Sequence, residues 1–152
     1  MAENTEQVKI NSKKNTNFIY AIGRRKQASA RARLYQEIKS SYDFKKGDIF
    51  VNGKKASEYF KGELARLNYI QPLQIVDAVS KYAFTIKVQG GGENSQLDAV
   101  ILAMSKALAK LDDKNKVLLR KKGLLTTDAR VKERRKVGTG GKARRKKQSP
   151  KR

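Results

Sequence analysis

Between residues 120 and 152 the chain carries 15 Lys and Arg against 2 acids, a net charge of +13 in 33 residues. From Gly138 to Arg152 there is no acid, and apart from Pro150 the one aliphatic side chain is Ala143. Such a stretch removes too little apolar surface from water to offset the entropy of ordering its backbone. It is therefore expected to order only against a polyanion. The first 119 residues hold 21 bases and 12 acids, a net of +9, and must supply whatever core exists. The full chain has 152 residues and a charge of +22. Its pI of about 10.4 lies past the ~9 that marks nucleic-acid-binding domains. Residues 1–16 are polar and near neutral. The expected organisation is a flexible extension over 1–16, a folded α/β body over 17–126, and a basic tail over 127–152.

The missing residue types exclude chemistry. There is no Cys, hence no disulfide scaffold, thiol nucleophile or Cys-based metal cluster. There is no His, which removes the commonest metal ligand and the side chain best suited to proton transfer near neutral pH. The acids are scattered, and the adjacent pair Asp112-Asp113 sits where a helix cap is expected. No enzyme activity, cofactor or metal is expected. No apolar run approaches the ~20 residues that span a bilayer. Glu3 and Glu6 make the start unlike a secretory or transit peptide. A soluble intracellular binder of polyanions is the expected class.

Periodicity supplies a fold. Asn17 to Ile22 is apolar and β-prone, with Gly23 expected to end or bulge it. In Ala28 to Tyr35, Ala28, Ala30, Ala32 and Leu34 share one face, and Ser29, Arg31, Arg33 and Tyr35 the other. Asp48 to Val51 followed by Asn52-Gly53 predicts a strand entering a tight hairpin. The spacing predicts a helix over Ser57–Tyr69, broken near Gly62 and stopped by Pro72, with a second helical stretch over Leu73–Val79. Tyr82, Phe84, Ile86 and Val88 define another alternating strand, closed by Gly90-Gly91-Gly92. Leu97, Val100, Ile101, Met104, Leu108 and Leu111 predict a core-facing helix over Ser95–Leu111. Asp113 is expected to cap a last helix through Arg120, with Gly123 just past its end. The fold class is α/β (α+β): a two-layer sandwich with a mixed sheet and helices on one face, plus a long basic tail.

Two features point to phosphate. Gly23 to Arg33 holds five bases and no acid. Arg24, Arg25 and Lys26 crowd a turn, and Arg31 and Arg33 share a strand face, so cations on a rigid element can match successive phosphates. The alternative is a solvated outer face. The three glycines at 90–92 suit either a tight strand-to-helix turn or close approach of an RNA backbone. Gly138 to Ala143 lacks the P-loop pattern, because Lys136 and Ala143 stand where Gly and Ser or Thr are needed.

Several motifs resemble the small-subunit ribosomal protein S-nine family, of bacterial or organellar type. They are Gly-Arg-Arg-Lys at 23–26, Val-Asn-Gly-Lys at 51–54, Glu-Tyr-Phe at 58–60, Gln-Pro-Leu at 71–73 and Val-Gln-Gly-Gly-Gly at 88–92. Lys-Lys-Gly-Leu-Leu-Thr-Thr-Asp-Ala-Arg-Val at 121–131, Glu-Arg-Arg-Lys-Val-Gly at 133–138 and Lys-Ala-Arg-Arg at 142–145 continue the match to the terminal Lys-Arg. The resemblance covers about residues 18–152. It implies a structural protein on the ribosome, cytoplasmic or organellar, bound to small-subunit ribosomal RNA in the head (the 3′ major domain) beside neighbouring head proteins. It implies ribosomal RNA contacts at Arg24, Arg25, Lys26, Arg130, Lys132, Arg134, Arg135, Lys136, Lys142, Arg144, Arg145, Lys146 and Lys147. Arg31 and Arg33 join this set from their shared strand face. Lys151 and Arg152 are implied to approach peptidyl-site tRNA. The chain departs from the pattern at Asp98, at Ile101 where the family has Arg, at Gly140-Gly141, and at Ser149 in place of Phe. The competing reading is a general basic protein that compacts nucleic acid.

Overall fold

The segments that alternate every second residue form one sheet, and the long amphipathic helix lies across it. The computed structural model describes residues 18–38 and 44–134. Its strands are β1 (Ile19–Arg25), β2 (Ala28–Tyr35), β3 (Ile49–Val51), β4 (Lys54–Lys55) and β5 (Ala83–Gln89). The order across the sheet is β1-β2-β5-β3-β4. The pairs β1–β2, β2–β5 and β3–β4 are antiparallel, and β3–β5 is parallel. The mixed sheet and the helices on one face are as expected. The helices are α1 (Ala56–Tyr59), α2 (Glu63–Ile75), α3 (Glu93–Leu111) and α4 (Asp113–Lys121).

Alternation decides which face is buried. Ala30, Ala32 and Leu34 of β2 stand opposite Val88, Ile86 and Phe84 of β5, and all six are buried. Against them α3 lays Val100, Ala103, Met104, Ala107 and Leu108, residues three and four apart on one helical stripe. Alanines at 99, 103 and 107 let α3 sit low on the sheet. Gly23 is what admits it: a Cβ there would lie 2.0 Å from the Ala99 carbonyl oxygen. Gly23 therefore neither ends nor bulges β1. The register runs unbroken from Ile19 opposite Leu34 to Arg25 opposite Ala28. α2 and α4 pack beside α3 in the same layer.

Local signals were partly overridden. Pro72 does not stop α2, which continues to Ile75. Pro72 and Leu73 are buried there, and core packing offsets the one helical hydrogen bond that proline cannot donate. No separate helix follows. Asp77 takes the left-handed conformation (φ 50°). The Ala78 N–H donates to the Leu73 carbonyl at 2.8 Å and the Asp77 N–H to the Gln74 carbonyl at 3.1 Å, closing α2. α4 ends with the same pair of bonds around Gly123, as anticipated. Its N-cap, however, is Asp112, whose carboxylate accepts the Lys114 N–H at 3.0 Å. Asp113 lies one position inside. Asn52 and Gly53, both at positive φ, make the expected hairpin turn.

Candidate nucleic-acid interface

One face of the sheet carries α3, and no helix among the described residues covers the other. Register pairs fix what the open face displays. One row runs Tyr20, Arg33, Thr85, Phe50; the next runs Ile22, Arg31, Lys87. A broad, shallow cavity of about 970 Å³ follows these rows. Arg31 is exposed and donates to the Gln89 side-chain oxygen at 3.2 Å. The Arg33 guanidinium lies 5.0 Å from the centre of the Phe18 ring, a stacking arrangement natural to a planar cation. The shared basic face expected of Arg31 and Arg33 is thus present, and Lys87 extends it across a third strand. Its far end is aromatic. Tyr35, on the same parity as the arginines, is buried by rings including Phe18 at 5.8 Å and Phe44 at 5.1 Å.

The turn residues separate by strand parity. Arg24 is exposed on the open face, and Lys26 is exposed in the turn at φ 51°. Arg25 points the other way, toward α3. Its side chain is 17% exposed and forms ion pairs with Asp98 at 3.4 Å and Asp128 at 3.3 Å. It also donates to the Arg130 carbonyl at 2.9 Å. The guanidinium proposed as an RNA ligand is thereby engaged within the protein. Asp98 is one of the two acids that receive it.

This clamp fixes where the tail leaves the body. Beyond α4, Leu124 and Leu125 pack on the core. Lys106 donates to the Thr127 hydroxyl at 3.1 Å. Asp128 then folds back on Arg130, accepting its backbone N–H at 2.9 Å and its guanidinium at 2.6 Å. The Arg130 side chain, its backbone N–H and the Arg25 charge hold the Asp128 carboxyl well below the usual carboxylate range. The path runs along α3 from Lys106 back toward Asp98, close to the basic β1–β2 turn. Lys132 and Arg134 follow, exposed and outside any helix. Arg135, Lys136, Lys142, Arg144, Arg145, Lys146, Lys147, Lys151 and Arg152 lie outside the described residues.

The triple glycine serves the body. A Cβ at Gly90 would meet the Gln27 carbonyl oxygen at 2.5 Å, and one at Gly91 would meet the Ala28 Cβ at 3.0 Å. The close approach at both positions is to the chain's own hairpin. Gln96 donates to the Gly90 carbonyl at 3.1 Å and accepts from the Tyr59 hydroxyl at 2.8 Å, tying the turn to α1. Among the described residues no cluster of acids is arranged to hold a metal ion. No described helix is long and apolar enough to cross a membrane. Lys87, Tyr20 and Phe50 are the surface residues that sequence reasoning missed. The parity of Lys87 within its strand was visible, but the pairing that puts it beside Arg31 was not.

The chain matches the family model described as ribosomal protein S9/S16 over residues 23–152. A "Small ribosomal subunit protein uS9" from Maridesulfovibrio salexigens is 40% identical over 124 residues, covering 82% of this chain and 89% of that protein. Its counterpart in Methylacidiphilum infernorum is 40% identical, covering 81% of this chain and 85% of that protein. The protein of the same name from Thermus thermophilus is 39% identical, covering 78% and 87%. An acid-poor cationic sheet face, a clamped tail root and a match running to the last residue agree: this chain belongs to the ribosomal protein S9/S16 family.

Proposed function

We propose that this protein is a structural constituent of the small ribosomal subunit, with no catalytic role. Its folded body, residues 17–126, binds small-subunit ribosomal RNA in the head, and its tail, residues 127–152, orders on that RNA. The last residues, Lys151 and Arg152, reach peptidyl-site tRNA. The observation that carries this reading is the extent of the family match: it includes the whole tail, which carries a net charge of +10 in 26 residues. Each Lys or Arg docked on a phosphate releases condensed counterions, so such a tail contributes affinity without a core of its own. Arg24, Lys26, Arg31 and Arg33 supply cations at fixed spacing on the body, and the Arg25 clamp launches the tail beside them.

Sedimentation of a cell extract through a sucrose gradient in moderate salt tests the reading. The protein should travel with small subunits. Migration as free protein, or with DNA, would overturn it in favour of general nucleic-acid compaction. Deleting Lys151 and Arg152 should leave assembly intact and weaken peptidyl-site tRNA binding. Unchanged tRNA affinity would remove that part of the role.

A further inference from the structure

The open sheet face combines exposed cations with an exposed ring, Tyr20, and that combination selects a kind of RNA. Tyr20 is 40% exposed and Ile22 39% exposed, beside Arg33 and Arg31 respectively. Among the described residues no acid lines the cavity over this face, so its charge suits a polyanion. Duplex RNA presents phosphates while its bases stay stacked inside, and an exposed ring gains nothing from it. An unpaired strand presents both phosphates and the flat faces of bases. Aromatic rings on a sheet and neighbouring cations match these two features.

We propose that this face binds an unpaired stretch of RNA, with a base stacked on Tyr20 and its flanking phosphates held by Arg31, Arg33 and Lys87. This rests on the reading of the protein as an RNA binder and adds the conformation of the RNA it takes. Tyr20 lies on the edge strand of the sheet, so a base reaches its ring without displacing a neighbouring strand. The guanidinium of Arg33, already stacked on Phe18, needs no ordering when the strand arrives.

The chain has no Trp, so Tyr20→Trp introduces a single indole as a reporter in the full-length protein. A 12-nucleotide oligoadenylate, a 12-base-pair RNA duplex and inorganic polyphosphate serve as probes at one salt concentration. All three should bind through the tail. Only the oligoadenylate should quench the indole, and the quenching should saturate. Tyr20→Ala should weaken oligoadenylate binding about 5- to 150-fold, the range for one stacked base, and leave polyphosphate affinity unchanged. Tyr20→Leu keeps apolar bulk without a ring and should lose a similar factor, separating stacking from folding. Equal quenching by duplex or polyphosphate would overturn the proposal, as would oligoadenylate binding without quenching. An indole already shielded from acrylamide in the free protein would also overturn it, because the chain itself would cover the face. A wild-type chain that sediments with small subunits while the indole stays unquenched fails this proposal alone. One that does not sediment with them fails the reading beneath it.

Discussion

Gly23→Ala adds one methyl group at the tightest point between β1 and α3. The new Cβ would lie 2.0 Å from the Ala99 carbonyl oxygen and 2.6 Å from the Ala103 nitrogen. Ordinary contact begins near 3.4 Å, so the methyl is short by about 1.4 Å. Both obstacles are backbone atoms of α3, and no side-chain rotation relieves them. The helix must rise from the sheet by about an ångström, and a gap of that size forfeits a quarter to a half of each dispersion contact it opens. Val100, Met104 and Leu108, all fully buried, would lose contact together. Overpacking a core costs about 1–3 kcal/mol, and a clash with backbone belongs at the top of that range, near ~3 kcal/mol. With m of roughly 1–3 kcal/mol/M in urea, the midpoint should fall by about 1–3 M. Equilibrium urea titration of the full chain, followed by circular dichroism, measures this. Gly53→Ala is the control. Gly53 has φ 83° and nothing within 4 Å of its added Cβ, so only left-handed strain applies, about 1–2 kcal/mol. If Gly23→Ala shifts the midpoint less than Gly53→Ala, close approach of α3 is not what requires glycine at position 23.

Arg25→Met keeps the aliphatic stem and removes the clamp on the tail root. Amide hydrogen exchange at Arg130 should quicken by roughly fivefold at most, since the ion pairs are partly exposed and screened; unchanged exchange would show that the clamp does not hold the root. The Asp128 carboxyl is held below its ordinary value by Arg130 first. Its contribution should therefore be complete above pH ~4, the unfolded carboxylate value, and disappear only as pH falls through the lower folded value. A carboxyl-carbon NMR titration should show no inflection for Asp128 between pH 7 and 4, and a midpoint near 4 would refute the assignment. RNA affinity should fall ~10³–10⁵-fold between 50 and 200 mM salt for 6–10 phosphate contacts, whereas a shallow slope in a filter-binding series would show that the tail is not docked.

Elements whose pattern is local were legible. The alternation of Ala28–Tyr35 matches β2 residue for residue, and the helical stripe from Leu97 to Leu111 gives α3 within two residues at its start. Asn52-Gly53 and Gly123 announced their turns because positive φ strongly favours such residues. Pro72 misled because propensity is a weak prior against a buried helix end. Asp77 closing α2 carried no comparable signal, since its φ follows from the path to β5. In the candidate interface, strand parity revealed that Arg31 and Arg33 share a face. It did not reveal that Arg25 faces α3, because the start and register of β1 decide that.

The sequence alone determined that the charge is divided, +9 over residues 1–119 and +13 over residues 120–152, and that apolar residues are concentrated in the first part. That composition matters because chain entropy has to be offset by apolar surface wherever a segment folds. It also determined the order and type of the main elements, which depend on spacings of two and of three to four residues. Only the tertiary structure decided the neighbours: β3 parallel to β5, Lys87 beside Arg31, and Arg25 joined to Asp98 and Asp128 across as many as 103 residues of chain. The Arg25–Asp98 pair depends on how closely α3 can lie on the sheet, and Gly23 with the alanines of α3 sets that distance.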